Sequence, residues 1–139
     1  VTGIIWDGKT LSADTAYFNR GGNVIARYSL KIEKWSKGYV ATAGKVTDGV
    51  LFRAWLESGD EGDPPSLSKA FEAFVSEDGK LFLYTKELVP ESVKPPVAIG
   101  SAGDDLEVLC RVGFSGPEAL KKAMEWRTDI GGEIQTVKI

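Results

Sequence analysis

The sequence predicts an α+β fold in which two β-sheets carry helices on their outer faces. Three observations lead there. The first third is a dense series of short apolar or alternating runs cut by turn residues, from Ile4-Ile5-Trp6 to Tyr39-Val40-Ala41-Thr42-Ala43. Helical spacing sets in only after Gly44, at Val46, Val50, Leu51, Ala54 and Trp55. Beyond a second hairpin, two helical segments lie side by side in the chain before a closing strand.

The elements follow in order. Ile4-Ile5-Trp6 leads into Asp7-Gly8, a residue pair favoured in tight hairpin turns, and Thr10-Leu11-Ser12-Ala13 returns to Asp14. The hairpin therefore brings Asp14 back towards Thr2. After Thr15-Ala16-Tyr17-Phe18 and a turn-rich 19–23 loop, Val24 to Tyr28 reads as a strand. Ser29 to Trp35 alternates and reads as another, with Lys31 inside it, and Ser36-Lys37-Gly38 turns into the strand that stops at Gly44.

The predicted helix from Val46 ends in the acidic 59–65 loop, which lacks the terminal glutamate of a calcium loop and reads as a solvated turn. Phe71 to Val75 and Leu81 to Tyr84 flank an Asp78-Gly79 hairpin, and Pro90, Pro95 and Pro96 punctuate an extended connection. Val97-Ala98-Ile99 enters Gly100-Ser101-Ala102-Gly103, and a helix follows from Asp104-Asp105 through Val112. Ser115-Gly116-Pro117-Glu118 forms a capping box for a helix from Ala119 to about Trp126. Thr128 to Gly132 turns into a final strand over 133–139.

Composition narrows the chemistry. At 139 residues the chain has the size of one domain, 1–139, with room for a buried core. A net charge of -3 argues against a nucleic-acid partner. The single cysteine rules out an intrachain disulfide, and Cys110, in an apolar helical stripe, reads as an inert core thiol. Trp35, Trp55 and the aromatic hairpin residues read as core. With no apolar run of membrane-spanning length and no basic leader, no membrane partner is expected and the expected location is cytoplasmic. The absence of histidine excludes Ser-His-Asp and Cys-His catalysis and any zinc site built on imidazole. Hydroxyls, lysine, carboxylates and backbone amides are left.

Several residues carry chemistry within that limit. A threonine hydroxyl beside a free α-amine is a potential nucleophile, because the amine titrates near neutrality and can serve as base. Lys31 reads either as an inward charge paired by Asp14 or as a surface lysine on a half-exposed strand. Gly100-Ser101-Ala102-Gly103 reads either as an anion-holding turn or as an ordinary strand-to-helix connection.

The order of these features resembles the N-terminal-nucleophile (Ntn) hydrolases, specifically the proteasome β-subunit and HslV-like peptidases. The compact homologues encoded by bacteria and their phages are the most similar. The resemblance runs over nearly the whole chain and implies a four-layer αββα sandwich. Thr2 matches the nucleophile, and Asp14 and Lys31 the pair that orients and tunes it. Gly44 matches the residue whose N–H stabilises the oxyanion, and Ser101 the serine that supports the amine and a bound water. Arg127 and Ile130 stand at the family's aspartate and hydroxyl before the double glycine Gly131-Gly132, so that Asp129 or Thr128 substitutes after a one-residue slip. Val1 precedes Thr2 and has to be removed to free its amine; Gly3 stands where the family usually has a second hydroxyl residue.

The resemblance implies a threonine-type peptidase or amidohydrolase acting on peptides or proteins, self-associating through helical faces, with no metal or organic cofactor. The alternatives are a catalytically silent relative acting in protein binding or assembly, and an amidase for small substrates.

Overall fold

A computed structural model of the chain describes residues 2–18, 24–26, 30–59 and 61–139. Val1, the 19–23 loop, residues 27–29 of the predicted strands and Asp60 of the acidic loop lie outside the described residues.

Strands β1 (Ile4–Trp6) and β2 (Thr10–Ala13) form the first hairpin. It closes through three residues, one more than predicted, because Asp7 Oδ1 accepts from the amides of Lys9 (2.8 Å) and Thr10 (2.7 Å). The other oxygen of Asp7 accepts from the Gly116 amide at 2.7 Å and so ties the hairpin to the third helix. Strands β3 (Tyr17–Phe18) and β4 (Val24–Ala26) pair with each other. Then come β5 (Ile32–Trp35), β6 (Gly38–Ala43) and helix α1 (Val46–Glu57). Strands β7 (Glu72–Glu77) and β8 (Lys80–Thr85) meet at Asp78-Gly79, both at positive φ, the two-residue turn expected there. Short β9 (Glu91–Ser92) lies in the proline-punctuated connection, and β10 (Val97–Ile99) precedes α2 (Gly103–Arg111), α3 (Gly116–Ala123) and β11 (Gln135–Lys138).

Apart from the β3-β4 pair, the described strands form two antiparallel sheets, ordered β10-β1-β2-β11 and β5-β6-β7-β8-β9. Alternation along the strands divides the core into three clusters. Ile4, Leu11, Ala13 and Ile99 of the first sheet pack against Ile32, Ala41, Phe74 and Leu81 of the second. Ile5 points the other way, to Leu106, Ala119 and Leu120 of α2 and α3. Val40, Ala73 and Val75 face Phe52 and Leu56 of α1.

Other expectations change as well. Helix α1 forms where predicted but buries the opposite face: Val46, Val50 and Leu51 are about half exposed, whereas Phe52 and Leu56 are buried. Aromatic packing sets that face, since the Phe52 ring lies 5.0 Å from Phe71 and 5.3 Å from Tyr84. Strand β5 begins only at Ile32, which leaves Lys31 in a bend ahead of it; the amides of Lys31 and Ile32 both donate to Gln135 Oε1. Helix α3 starts directly after its Ser115 cap, with the capping box formed, and stops at Ala123. Cys110 is half-buried at the margin of its cluster, and burial, with the Asp7 charge, pushes its thiol up to about 11.

Candidate active site

The chain enters the first sheet through Thr2 and Gly3, wedged between β2 and the β10–α2 turn. The Gly3 carbonyl accepts from the Asp14 amide at 3.1 Å, and the Thr2 carbonyl accepts from the Ala102 amide at 3.1 Å. Gly100 sits at φ +91°, and a Cβ there would collide with the Thr2 carbonyl; only glycine allows this approach. Gly3 is tightly enclosed. A Cβ would lie 3.1 Å from Leu106, 3.2 Å from Leu120 and 3.4 Å from Ala102, so α2 and α3 occupy the room that a second hydroxyl side chain would need.

Asp14 is fully buried at the end of β2. Its Oδ1 accepts from the Gly3 amide at 3.0 Å and from the Lys31 ammonium at 2.7 Å, while Oδ2 accepts from the Gly131 amide at 3.2 Å. Three donors thus satisfy a carboxylate that would otherwise be costly to bury. The Lys31 side chain is only 11% exposed, so it takes the inward of its two readings. Burial pulls the ammonium below its ordinary value, against the opposing pull of Asp14 and, more weakly, Asp129. Gln135 fixes the backbone under Lys31. Its Oε1 accepts from the Lys31 and Ile32 amides at 3.2 and 3.0 Å, and its Nε2 donates to the Ile32 carbonyl at 2.6 Å.

On the other side of Thr2, its nitrogen donates to Ser101 Oγ at 3.1 Å, and Ser101 donates onward to Asp129 Oδ2 at 2.6 Å. Asp129, one of the two residues that could follow the one-residue slip, is therefore the one within reach of Ser101. Its carboxyl is held down at about 2, first by hydrogen bonds from Arg127 and also by that from Ser101, against the effect of burial. Gly44 closes β6 at φ +119°. Together with Thr2, Gly100, Ser101 and Glu72 it lines a cleft of about 480 Å³. Glu72 Oε1 accepts from the Gly100 amide at 3.3 Å and ties the second sheet to the turn that holds Thr2.

All six site residues singled out in the sequence gather around this cleft and the buried carboxylate behind it. Gln135, Glu72 and Arg127 were not foreseen. Gln135 and Glu72 are ordinary polar residues of short strands and carry no local signal. Arg127 did: a cation two residues before Asp129, at a position where the resemblance has an aspartate.

Among solved structures, HslV from Trypanosoma brucei superposes with a TM-score of 0.68 at 13% identity, covering 99% of both chains. BPH from Thiobacillus denitrificans superposes with a TM-score of 0.66 at 15% identity, over 99% of this chain and 96% of that one. The same protein in complex with epoxomicin gives 0.67 at 13% identity, over 99% and 97%. The chain has the fold of these proteins. The shared fold runs nearly end to end. No protein-family model and no curated protein matches its sequence. Among the described residues, no helix is long and apolar enough to cross a membrane.

Proposed function

We propose that the protein is a threonine-type peptidase or amidohydrolase that uses Thr2 as its nucleophile once Val1 is removed. The observation that carries this reading is the arrangement around Thr2. A buried Asp14–Lys31 pair bonds the Gly3 amide on one side, and Ser101 with Asp129 holds the Thr2 nitrogen on the other. Such a clamp fixes the nitrogen that would serve as base for the Thr2 hydroxyl.

With Val1 gone, the Thr2 nitrogen is an amine. It takes the Oγ proton as Oγ attacks the substrate carbonyl carbon, and the carbonyl electrons move onto oxygen, where the Gly44 N–H stabilises the oxyanion. The protonated amine then gives its proton to the departing nitrogen as the carbon–nitrogen bond breaks, leaving an ester on Thr2. Water attacks that ester as the amine takes its proton, and the amine then gives that proton to Oγ as the carbon–Oγ bond breaks, restoring Thr2 and releasing the acid. Lys31 favours the neutral amine and the developing negative charge, and Asp14 holds Lys31 in place. No step calls for a metal or an organic cofactor.

The reading extends to a single domain over 1–139 with the full four-layer αββα order. Three core clusters support it, one between the sheets and one under each helical layer. It extends also to peptide or protein substrates, a cytoplasmic setting, and self-association through the apolar residues exposed on α1 and α2, Val46, Val50, Leu51 and Val108. No nucleic-acid partner is included, given the acidic balance. A catalytically silent binding or assembly protein is the second reading. Val1 favours it, since with Val1 attached the Thr2 nitrogen is an amide and cannot act as base.

Peptide hydrolysis by the chain beginning at Thr2, and its loss in Thr2→Ala, is the test. Equal turnover by both would remove Thr2 from the reaction.

A further inference from the structure

Arg127 follows α3 and turns its guanidinium towards the Thr2 site. Nε donates to Asp129 Oδ1 at 2.8 Å and Nη2 to Asp129 Oδ2 at 2.7 Å, a two-pronged grip on one carboxylate. Nη1 donates to Asp105 Oδ2 at 2.9 Å, in the first turn of α2, and Nη2 also donates to the Ser101 carbonyl at 3.0 Å. One side chain thus joins the β10–α2 turn, the start of α2 and the segment before β11. The Trp126 indole donates to the same Asp105 oxygen at 3.2 Å and holds that partner in place. The Arg127 side chain is 24% exposed, that of Asp129 28% and that of Asp105 39%, so the network lies partly exposed beside the cleft.

The consequence falls on Ser101, which is held twice. Arg127 takes its carbonyl, and Asp129, itself gripped by Arg127, takes its hydroxyl proton. With that proton committed to Asp129, only a lone pair of Ser101 Oγ faces the Thr2 nitrogen, which donates to it at 3.1 Å. A lysine could not do this. Its single ammonium cannot grip both oxygens of Asp129 while reaching Asp105 and the Ser101 carbonyl.

We propose that Arg127 is a positioning residue that sets the direction of the Ser101 hydroxyl through Asp129 and thereby orients the Thr2 nitrogen. This rests on the reading of Thr2 as nucleophile. Arg127 also places a positive charge beside Asp129 and Ser101. The charges around the site are Asp14 and Lys31 behind Thr2, Lys69 and Glu72 along the cleft, Asp105 from α2, and Arg127 and Asp129 from the segment after α3. Among them Arg127 offsets Asp105 and Asp129, and its removal leaves the Thr2 amine in a more negative surrounding that favours its protonated form.

The test uses the chain beginning at Thr2, with Arg127→Gln and Arg127→Lys, each checked for folding by circular dichroism. Two quantities are read: the titration midpoint of the Thr2 amine by NMR, and the rate of covalent capture by epoxomicin as a function of pH. In Arg127→Gln the amine midpoint should rise by about half a pH unit, and capture at neutral pH should slow roughly tenfold. In Arg127→Lys, which keeps the charge but loses the fork, the midpoint should stay near wild type while the plateau rate falls. Folded variants with wild-type midpoints and capture rates would reduce Arg127 to a surface ion pair and overturn the proposal. If wild type itself is not captured, the peptidase reading fails, and the amine midpoint decides the role of Arg127 by itself: a shift in Arg127→Gln supports it and no shift overturns it. Should Arg127→Gln not fold, an unchanged plateau rate in Arg127→Lys overturns it.

Discussion

Replacing Lys31 by methionine tests whether the charge pair behind Thr2 is as buried as it looks. The Asp14 side chain has no exposed surface, and Lys31 reaches it at 2.7 Å with 11% of its own side chain exposed. Methionine keeps most of the aliphatic volume and removes the charge, leaving Asp14 with the amides of Gly3 and Gly131. Breaking a buried ion pair from one side typically costs about 3–5 kcal/mol. The two remaining amide bonds soften that, so the lower end, about 3 kcal/mol, is expected. Urea unfolding of wild type, Lys31→Met, Asp14→Asn and the double variant measures it, with an unchanged m-value as the check on two-state behaviour. The double variant should recover about 2 kcal/mol relative to the sum of the single changes, since neither then leaves a lone buried charge. A loss under about 1 kcal/mol for Lys31→Met, the range of exposed pairs, would refute the burial argument.

Gly3→Ser should destabilise the protein by about 1–3 kcal/mol in the same urea assay, because the added side chain meets Leu106, Leu120 and Ala102; a neutral result would mean that α2 and α3 yield easily. Asp129, held at about 2 against an ordinary 3.8, should contribute stability that is complete above the ordinary value and lost as pH falls through about 2. The stability gap between wild type and Asp129→Asn, kept below about 1 kcal/mol by solvent screening, should therefore close on acidification; a gap that widens towards low pH would reverse the sign of the argument.

What the sequence made legible was mostly local. Asp78-Gly79 between alternating runs gives its hairpin because the turn chemistry is carried by two adjacent residues. Ser115 and Glu118 give the start of α3 in the same way. The face of α1 was not legible, because counting apolar residues favours Val46, Val50 and Leu51, while the partners that decide the matter, Phe71 just before β7 and Tyr84 in β8, come further along the chain. Lys31 was placed in a strand because its neighbours alternate; Gln135, remote in sequence, takes its amide and leaves it in a bend. The approach of Thr2, Asp14 and Lys31 could be argued from the first hairpin and from the cost of an unpaired inward charge. The fork of Arg127 could not, since its targets on Ser101 and Asp105 meet it only in the folded chain.

The central claim is that Thr2 acts through its own free amine. Its most direct test is intact mass after exposure to epoxomicin, run in parallel on the chain beginning at Thr2 and the chain beginning at Val1, with peptide hydrolysis followed in both. The account predicts one covalent adduct and turnover for the first, lost in Thr2→Ala, and neither for the second unless Val1 has been removed. A folded chain beginning at Thr2 that forms no adduct and cleaves no peptide would contradict it, as would equal activity from a chain that keeps Val1.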